Sequence, residues 1–337
     1  MIHMIHTEDL ELLHALQIAP RASWRALGMA LHRSPAALAD RWEHLTAEGL
    51  AWCTAVPLGR ERQGTLVFVA LLCEPRSRQQ VCDEATLIPD VISIEEPATH
   101  WDLILSILTP SIEELLYRIL PRITGIVGIA RHEIIICTHL HFGGHEWRLD
   151  VLDEQKQLQL KRLDRFAQAD AQPIRPDDLA LLPLLFRDGR ASVGELAQAL
   201  NAHPSTVSRR LNRVLSAPNI SLRCDIATEI VGQPISCQWF GWLPPDQHGA
   251  AVAALKEFQN LRFCASTTGQ TNFTFVLWVN SPEEIFEIER TVVARISQLS
   301  ISESSVTVRF VKRMGWRLDP QGRRVGEPIS PTFLPTP

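Results

Sequence analysis

The sequence holds a single tyrosine, seven cysteines with no C-x-x-C among them, no apolar run of bilayer length and no excess of basic residues. Each shortage excludes something. An odd set of widely spaced cysteines (Cys53, Cys73, Cys82, Cys137, Cys224, Cys237 and Cys264) suits neither a disulfide framework nor a zinc ribbon. Most lie in apolar stretches and read as small buried side chains. The run around Leu66 to Cys73 is too short to span a membrane, and the start of the chain lacks the basic and apolar regions of a secretory signal. A cytoplasmic location without membrane contact is expected. A net charge of −5 excludes nucleic-acid binding by bulk charge and leaves only a local basic face. What is present is an ordinary globular composition, 45% hydrophobic and 21% charged over 337 residues, enough for two or more domains.

An internal repeat organises the rest. At an offset of 169, Arg21-Ala22-Ser23 matches Arg190-Ala191-Ser192, and Leu27, Leu31 and Pro35 match Leu196, Leu200 and Pro204. Further on, at an offset of 170, Asp102 pairs with Asn272, Ser111 with Ser281 and Glu113 with Glu283. One register kept across several elements indicates two copies of one unit. The expected boundaries are a first helical head at 1–60, a first α+β body at 61–145, a connecting helix and linker at 146–175, a second head at 176–228, a second body at 229–318 and a proline-rich, disordered tail at 319–337.

Each head reads as three helices. In the first, Thr7, Ser23 and Pro35 open them, and Gly49 ends the third. In the second, Asp177 or Asp178, Ser192 and Pro204 do the same, with Pro183 predicting a late start or kink. A short helix, a tight turn and a third helix form a helix-turn-helix, whose last helix enters the major groove. The third helix of the second head carries Ser205, Thr206, Ser208, Arg209, Arg210 and Arg213. Short hydroxyls allow close approach, and arginines reach phosphates or guanine edges. These residues, with Arg190 and Arg41, are the candidate contacts to double-stranded DNA. The first head is poorer: Asp40 stands where the second has Arg209. From Thr7 to Arg62 there are six basic and seven acidic residues, against seven and five from Ile174 to Asp225.

Each body reads as strand, helix, strand, strand, helix, strand, a ferredoxin-like βαββαβ order with one sheet face left for a partner. The overall expectation is α+β, with two winged-helix-like helix-turn-helix domains each followed by such a body. Face-to-face pairing of the bodies, within or between chains, is expected. His139, His141 and His145 have a spacing that a metal could use, but Gly143-Gly144 between them favours surface histidines of a linker, and no metal is expected. Trp24, Trp42 and Trp52 face Val193, Leu211 and Leu222 across the repeat and read as core.

The second head, through Asp188-Gly189-Arg190-Ala191-Ser192, Glu195-Leu196-Ala197 and His203-Pro204-Ser205-Thr206-Val207-Ser208-Arg209-Arg210-Leu211, resembles the Lrp/AsnC (leucine-responsive and asparagine-synthesis) regulators. The body is similar to that family's RAM domain. The resemblance implies a non-enzymatic transcription factor without a cofactor, assembling as a homo-oligomer through its RAM domains and tuned by a small molecule such as an amino acid. It places the effector at the turn between the second and third body strands. Here that turn reads Gly269-Gln270-Thr271-Asn272 in the second copy and Thr99-His100-Trp101-Asp102 in the first, giving Gly269, Gln270, Asn272, Thr99 and Asp102 as effector contacts. Simple hairpin geometry explains the same turns. The alternative is a siroheme decarboxylase, an enzyme type with the same head-and-body architecture. Ample histidine suits it, and the lone Tyr117 lies on a predicted helix.

Overall fold

Capping side chains set the helices of both heads. In a computed structural model, which describes residues 6–56, 64–164, 166, 173–232 and 234–332, the chain separates into two units. One gathers residues 1–63, 148–230 and 321–337; the other gathers 64–147 and 231–320. In chain order the strands of the two bodies and the heads are β1 (Ala51–Val56), β2 (Thr65–Cys73), β3 (Val91–Pro97), β4 (Leu103–Thr109), β5 (Ile129–Phe142), β6 (Ser221–Ile226), β7 (Ile235–Trp242), β8 (Leu261–Thr267), β9 (Phe273–Val279), β10 (Ser300–Arg313) and β11 (Trp316–Leu318).

The first unit holds both heads. Helices Thr7–Ile18, Trp24–Leu31 and Pro35–Ala47 make one, and Leu181–Arg187, Val193–Ala199 and Pro204–Ser216 the other. Ser23 Oγ accepts from Ala26 N, and Ser192 and Glu195 close a reciprocal capping box. Thr7 is the first helical residue rather than the cap, and Asp9 accepts from the backbone of His6. The late start that Pro183 predicts is present: a short turn at Pro176–Asp178 precedes a helix opening at Leu181. The heads are joined to each other in a reciprocal way. β1 and β6 form an antiparallel ribbon. Arg21 donates to the carbonyls of Gly189 and Ala191, and Arg190 donates to those of Pro20 and Ala22. The connecting helix Glu154–Leu163 is capped by Asp153 and buries Leu160 in this unit. The tail is not the disordered segment expected. Arg323 pairs with Glu229, and Arg324 donates to Thr46 O and Gly49 O. Residues 333–337 lie outside the described residues.

The second unit holds both bodies. Each has the expected order, with helices Arg78–Thr86 and Ile112–Thr124 in the first and His248–Leu255 and Pro282–Arg295 in the second. The helix from Ile112 is not regular. A π-helical turn at Leu115–Ile119 sits just ahead of Pro121, which has no N–H to continue the ladder. Within the bodies the strand orders are β3-β4-β2-β5 and β8-β9-β7-β10. The bodies join by their edges: β5 pairs with β8 and β10 with β3, so eight antiparallel strands close into a ring. Face-to-face stacking of two open sheets was the expectation; edge pairing removes the open edges instead. Helices cover the outside over two apolar cores, one around Val69, Leu105 and Ile119, the other around Trp239, Phe275 and Leu277.

Candidate functional site

On the helix Pro204–Ser216, Val207, Leu211 and Val214 face the core. Ser205 and Arg209 are exposed, and Thr206 and Ser208 are half-buried. The remaining basic residues expected at DNA have other partners. Arg213 is 8% exposed and donates to both oxygens of Asp178 at 2.9 and 2.7 Å. Arg210 lies 3.6 Å from Asp177. Arg190 stacks over Trp24 at 4.1 Å while holding the other head. Arg41 makes a two-pronged pair with Asp9. Each of these guanidinium groups spends two donors on a partner within its own unit and is held in place by it, so Arg213, Arg190 and Arg41 are corrected to internal ties. Among the expected contacts, the surface that remains is Ser205, Thr206, Ser208 and Arg209, with Arg210 half-buried beside the exposed Asp177. On the first head the matching helix exposes Asp40 and Glu43.

The turn residues expected at an effector are also largely engaged. Asp102 Oδ2 accepts from Cys73 N at 2.8 Å, and Thr99 Oγ1 accepts from Trp101 N. Asn272 clamps Leu243 through both ends of its amide: Oδ1 accepts from Leu243 N at 2.9 Å, and Nδ2 donates to Leu243 O at 2.8 Å. Asp102 and Asn272 thus fasten the end of a neighbouring strand, and Thr99 closes its own turn. Gly269, at φ +112°, and Gln270 stay exposed.

The second unit contains a polar constellation that the linker reading of its histidines missed. β5 runs on past Cys137 to Phe142, which places His139 and His141 on the edge paired with β8, where the register shifts at Cys137/His139 and Leu140/Phe142; their rings lie 4.5 Å apart. His141 Nε2 lies 2.7 Å from Ser266 Oγ, and His248 Nδ1 lies 2.6 Å from the same oxygen. His248 Nε2 lies 3.1 Å from Leu243 O, the carbonyl that Asn272 also holds. A carbonyl can only accept, so neutral His248 carries its proton on Nε2 and accepts at Nδ1. Ser266 therefore donates to His248 and accepts from His141 Nε2–H. A directed row results, His141 to Ser266 to His248 to Leu243 O. It leaves Nδ1 of His141 as the basic end. Burial, helped by His139, His248 and Lys256, lowers the His141 pKa to about 4, so its ring is neutral near neutral pH. Phe273 packs against both rings. Among the described residues no three His, Cys, Asp or Glu side chains converge to hold a metal.

The matching place in the first body has a different chemistry. Positions 170 residues apart pair alike: Arg309 faces Glu96 where His139 faces Ser266. There Glu96, 7% exposed, pairs with Arg309 at 2.8 Å and with Arg78 at 3.6 Å. An ion-paired cluster stands there in place of the histidine–serine row. The signal for the row was in the sequence as a H-x-H at the end of a strand, but its partners Ser266 and His248 lie on other elements.

The AsnC-type helix-turn-helix domain model matches residues 177–214, within the second head. The solved structure of the siroheme decarboxylase NirDL is similar over 90% of this chain and 93% of its own, at 12% identity and a TM-score of 0.55. Its co-complex with an iron-uroporphyrin III analogue gives 13% identity with the same TM-score of 0.55 and the same coverage, 90% and 93%. AsnC of E. coli covers 41% of this chain with 94% of its own, at 16% identity and a TM-score of 0.37. No curated protein matches the chain in sequence. The likeness across nearly the whole chain is one of fold, and NirDL, which shares it, is an enzyme. The expectation of a non-enzymatic protein is overturned by that finding. Among the described residues no helix is long and apolar enough to cross a membrane.

Proposed function

We propose that this protein is a decarboxylase of a carboxylate-bearing tetrapyrrole, siroheme by its likeness to NirDL, with the reaction at the His141–Ser266–His248 row. The row carries the reading: three side chains from three elements are aligned with fixed proton directions, which a purely structural sheet does not require. Decarboxylation of an acetate side chain breaks the bond between the methylene and the carboxylate. The electron pair stays on the methylene carbon, carbon dioxide leaves, and a proton must arrive at that carbon. His141 is neutral alone, but substrate carboxylates beside it favour its charged form and raise its pKa, which loads Nδ1 with the proton to be delivered. Ser266 and His248 hold the ring in place and lengthen the path over which the charge is stabilised. The two bodies form one ring inside one chain, so the assembly expected between chains is not needed to complete the site.

The test is anaerobic incubation of the full-length protein with siroheme, followed by mass spectrometry. Loss of carbon dioxide from the tetrapyrrole is expected, and His141→Ala or His248→Ala should slow it by roughly 100-fold or more while siroheme still binds. An intact tetrapyrrole after prolonged incubation with wild-type protein would count decisively against the reading.

A second reading has its own observation, the AsnC-type match at 177–214 with Ser205, Thr206, Ser208 and Arg209 facing outward. Under it the protein binds double-stranded DNA through the second head, and the exposed Gly269 and Gln270 remain for a small, amino-acid-like effector. Retarded migration of a promoter fragment is expected to weaken with salt, and Arg209→Ala should lower the log-log salt slope by about one. An unchanged slope would sink this reading and leave the decarboxylase standing.

A further inference from the structure

Two of the seven cysteines face each other across the ribbon that joins the heads. β1 and β6 pair Cys53 with Cys224 directly. The type of pair follows from its neighbours. Ala227 N donates to Leu50 O at 2.8 Å, which makes Leu50 and Ala227 a hydrogen-bonded pair. Such pairs alternate along an antiparallel ribbon, so Cys53 and Cys224 form a non-hydrogen-bonded pair. The carbonyl of Cys53 agrees, since it turns outward to accept from Gly189 N at 2.8 Å. In a pair of this type the Cα atoms lie about 4.5 Å apart and the side chains are closest, within the span a disulfide bridges.

We propose that Cys53 and Cys224 form a reversible disulfide that ties the two heads covalently. Both side chains are buried, at 2% and 6% exposure, and their thiols hydrogen-bond to each other. The Arg190 guanidinium lies near and favours the thiolate of Cys224, against burial and the Cys53 thiol that disfavour it. The reaction is a thiol–disulfide exchange with a small disulfide such as oxidised glutathione. One thiolate attacks a sulfur of the oxidant and releases one glutathione. The second then attacks the mixed disulfide, forms the bond between Cys53 and Cys224 and releases the other glutathione. Two thiols are oxidised, one small disulfide is reduced to two thiols, and the protons pass to the released glutathiones. Of the other five, Cys82 lies on the helix Arg78–Thr86, and the four on strands pair with other residues: Cys73 faces Ile129, Cys137 faces Thr267, Cys264 faces Phe142 and Cys237 faces Leu277.

The experiment equilibrates the folded full-length protein in glutathione buffers of rising oxidised fraction, quenches with acid, alkylates the free thiols and digests. Mass spectrometry should find a Cys53–Cys224 linked peptide pair first, with the other five cysteines alkylated, and the oxidised protein should melt at a higher temperature than the reduced one. Cys224→Ser should abolish both the linked pair and the shift. Full alkylation of Cys53 and Cys224 in excess oxidant, glutathione adducts without the link, a different pair such as Cys73 with Cys82 forming first, or a link with no rise in melting temperature would each overturn the proposal.

Discussion

His14 is a buried acceptor. It is 1% exposed, and its Nδ1 receives the backbone N–H groups of Val151 and Leu152 at 3.3 and 3.2 Å. A protonated ring would lose both bonds, and burial sets its pKa at about 4 in the folded chain, with Asp150 opposing and Arg148 assisting. An unfolded histidine titrates near 6.5. Below that pH the unfolded chain takes up a proton that the folded chain refuses, so the stability is present in full above about 6.5 and is lost as the pH falls toward 4. The contribution is on the order of 3 kcal/mol. Scanning calorimetry across this window should show a falling midpoint for the wild type and a shallower fall for His14→Gln, whose side chain can accept from the same N–H groups without titrating. Equal slopes would show that His14 does not govern the acid limb. His141 has a depressed pKa of about 4 for the same primary reason, burial, but it belongs to the row at which we propose the decarboxylation, and under that proposal its protonation is read in turnover rather than in melting.

At the scale of elements, the helix Pro204–Ser216 of the second head is held from behind by its own chain. Asp178 is 0% exposed in the turn that precedes Leu181–Arg187, and Arg213 covers it. Removing the guanidinium leaves a buried carboxylate without its counter-charge, which costs about 3–5 kcal/mol. Arg213→Ala should therefore lower the midpoint of urea unfolding strongly; a variant as stable as the wild type would return Arg213 to the candidate DNA surface. The elements themselves were legible in the sequence, because their causes are local. Ser23 and Ser192 cap, Pro35 and Pro204 open first turns, and Pro183 delays a start. The order of strands and helices in the bodies was legible for the same reason. The destinations of long side chains were not. Arg213 sits at the border of an apolar stripe, and its partner lies 35 residues upstream, so composition alone reads it as a free cation. The histidine row was hidden by the same distance: His141 and Ser266 are separated by 125 positions and meet only through the β5–β8 edge.

At the scale of the whole chain, the decisive feature is that neither body is complete alone. β3 and β5 are the outer strands of the first body, and in the ring they are covered by β10 and β8 of the second. Taken by itself, the first body would expose two unpaired rows of N–H and C=O groups, which recruit other strands. Its first head would likewise lose the ribbon partner β6 and the carbonyl ties that Arg21 makes to Gly189 and Ala191. Splitting the chain between Phe166 and Pro173 separates the copies. The first piece expressed alone should pair with itself or aggregate, whereas the two pieces expressed together should co-purify one to one and regain the ring. Light scattering after size exclusion distinguishes these states. A first piece that stays monomeric and soluble would mean that its edges are protected by something other than the second body. The His141–Ser266–His248 row adds a chemical check, because His141 belongs to one piece while Ser266 and His248 belong to the other. Under the proposed decarboxylase function, turnover should be absent from either piece and return only on mixing, since the row is complete only where the two edges meet.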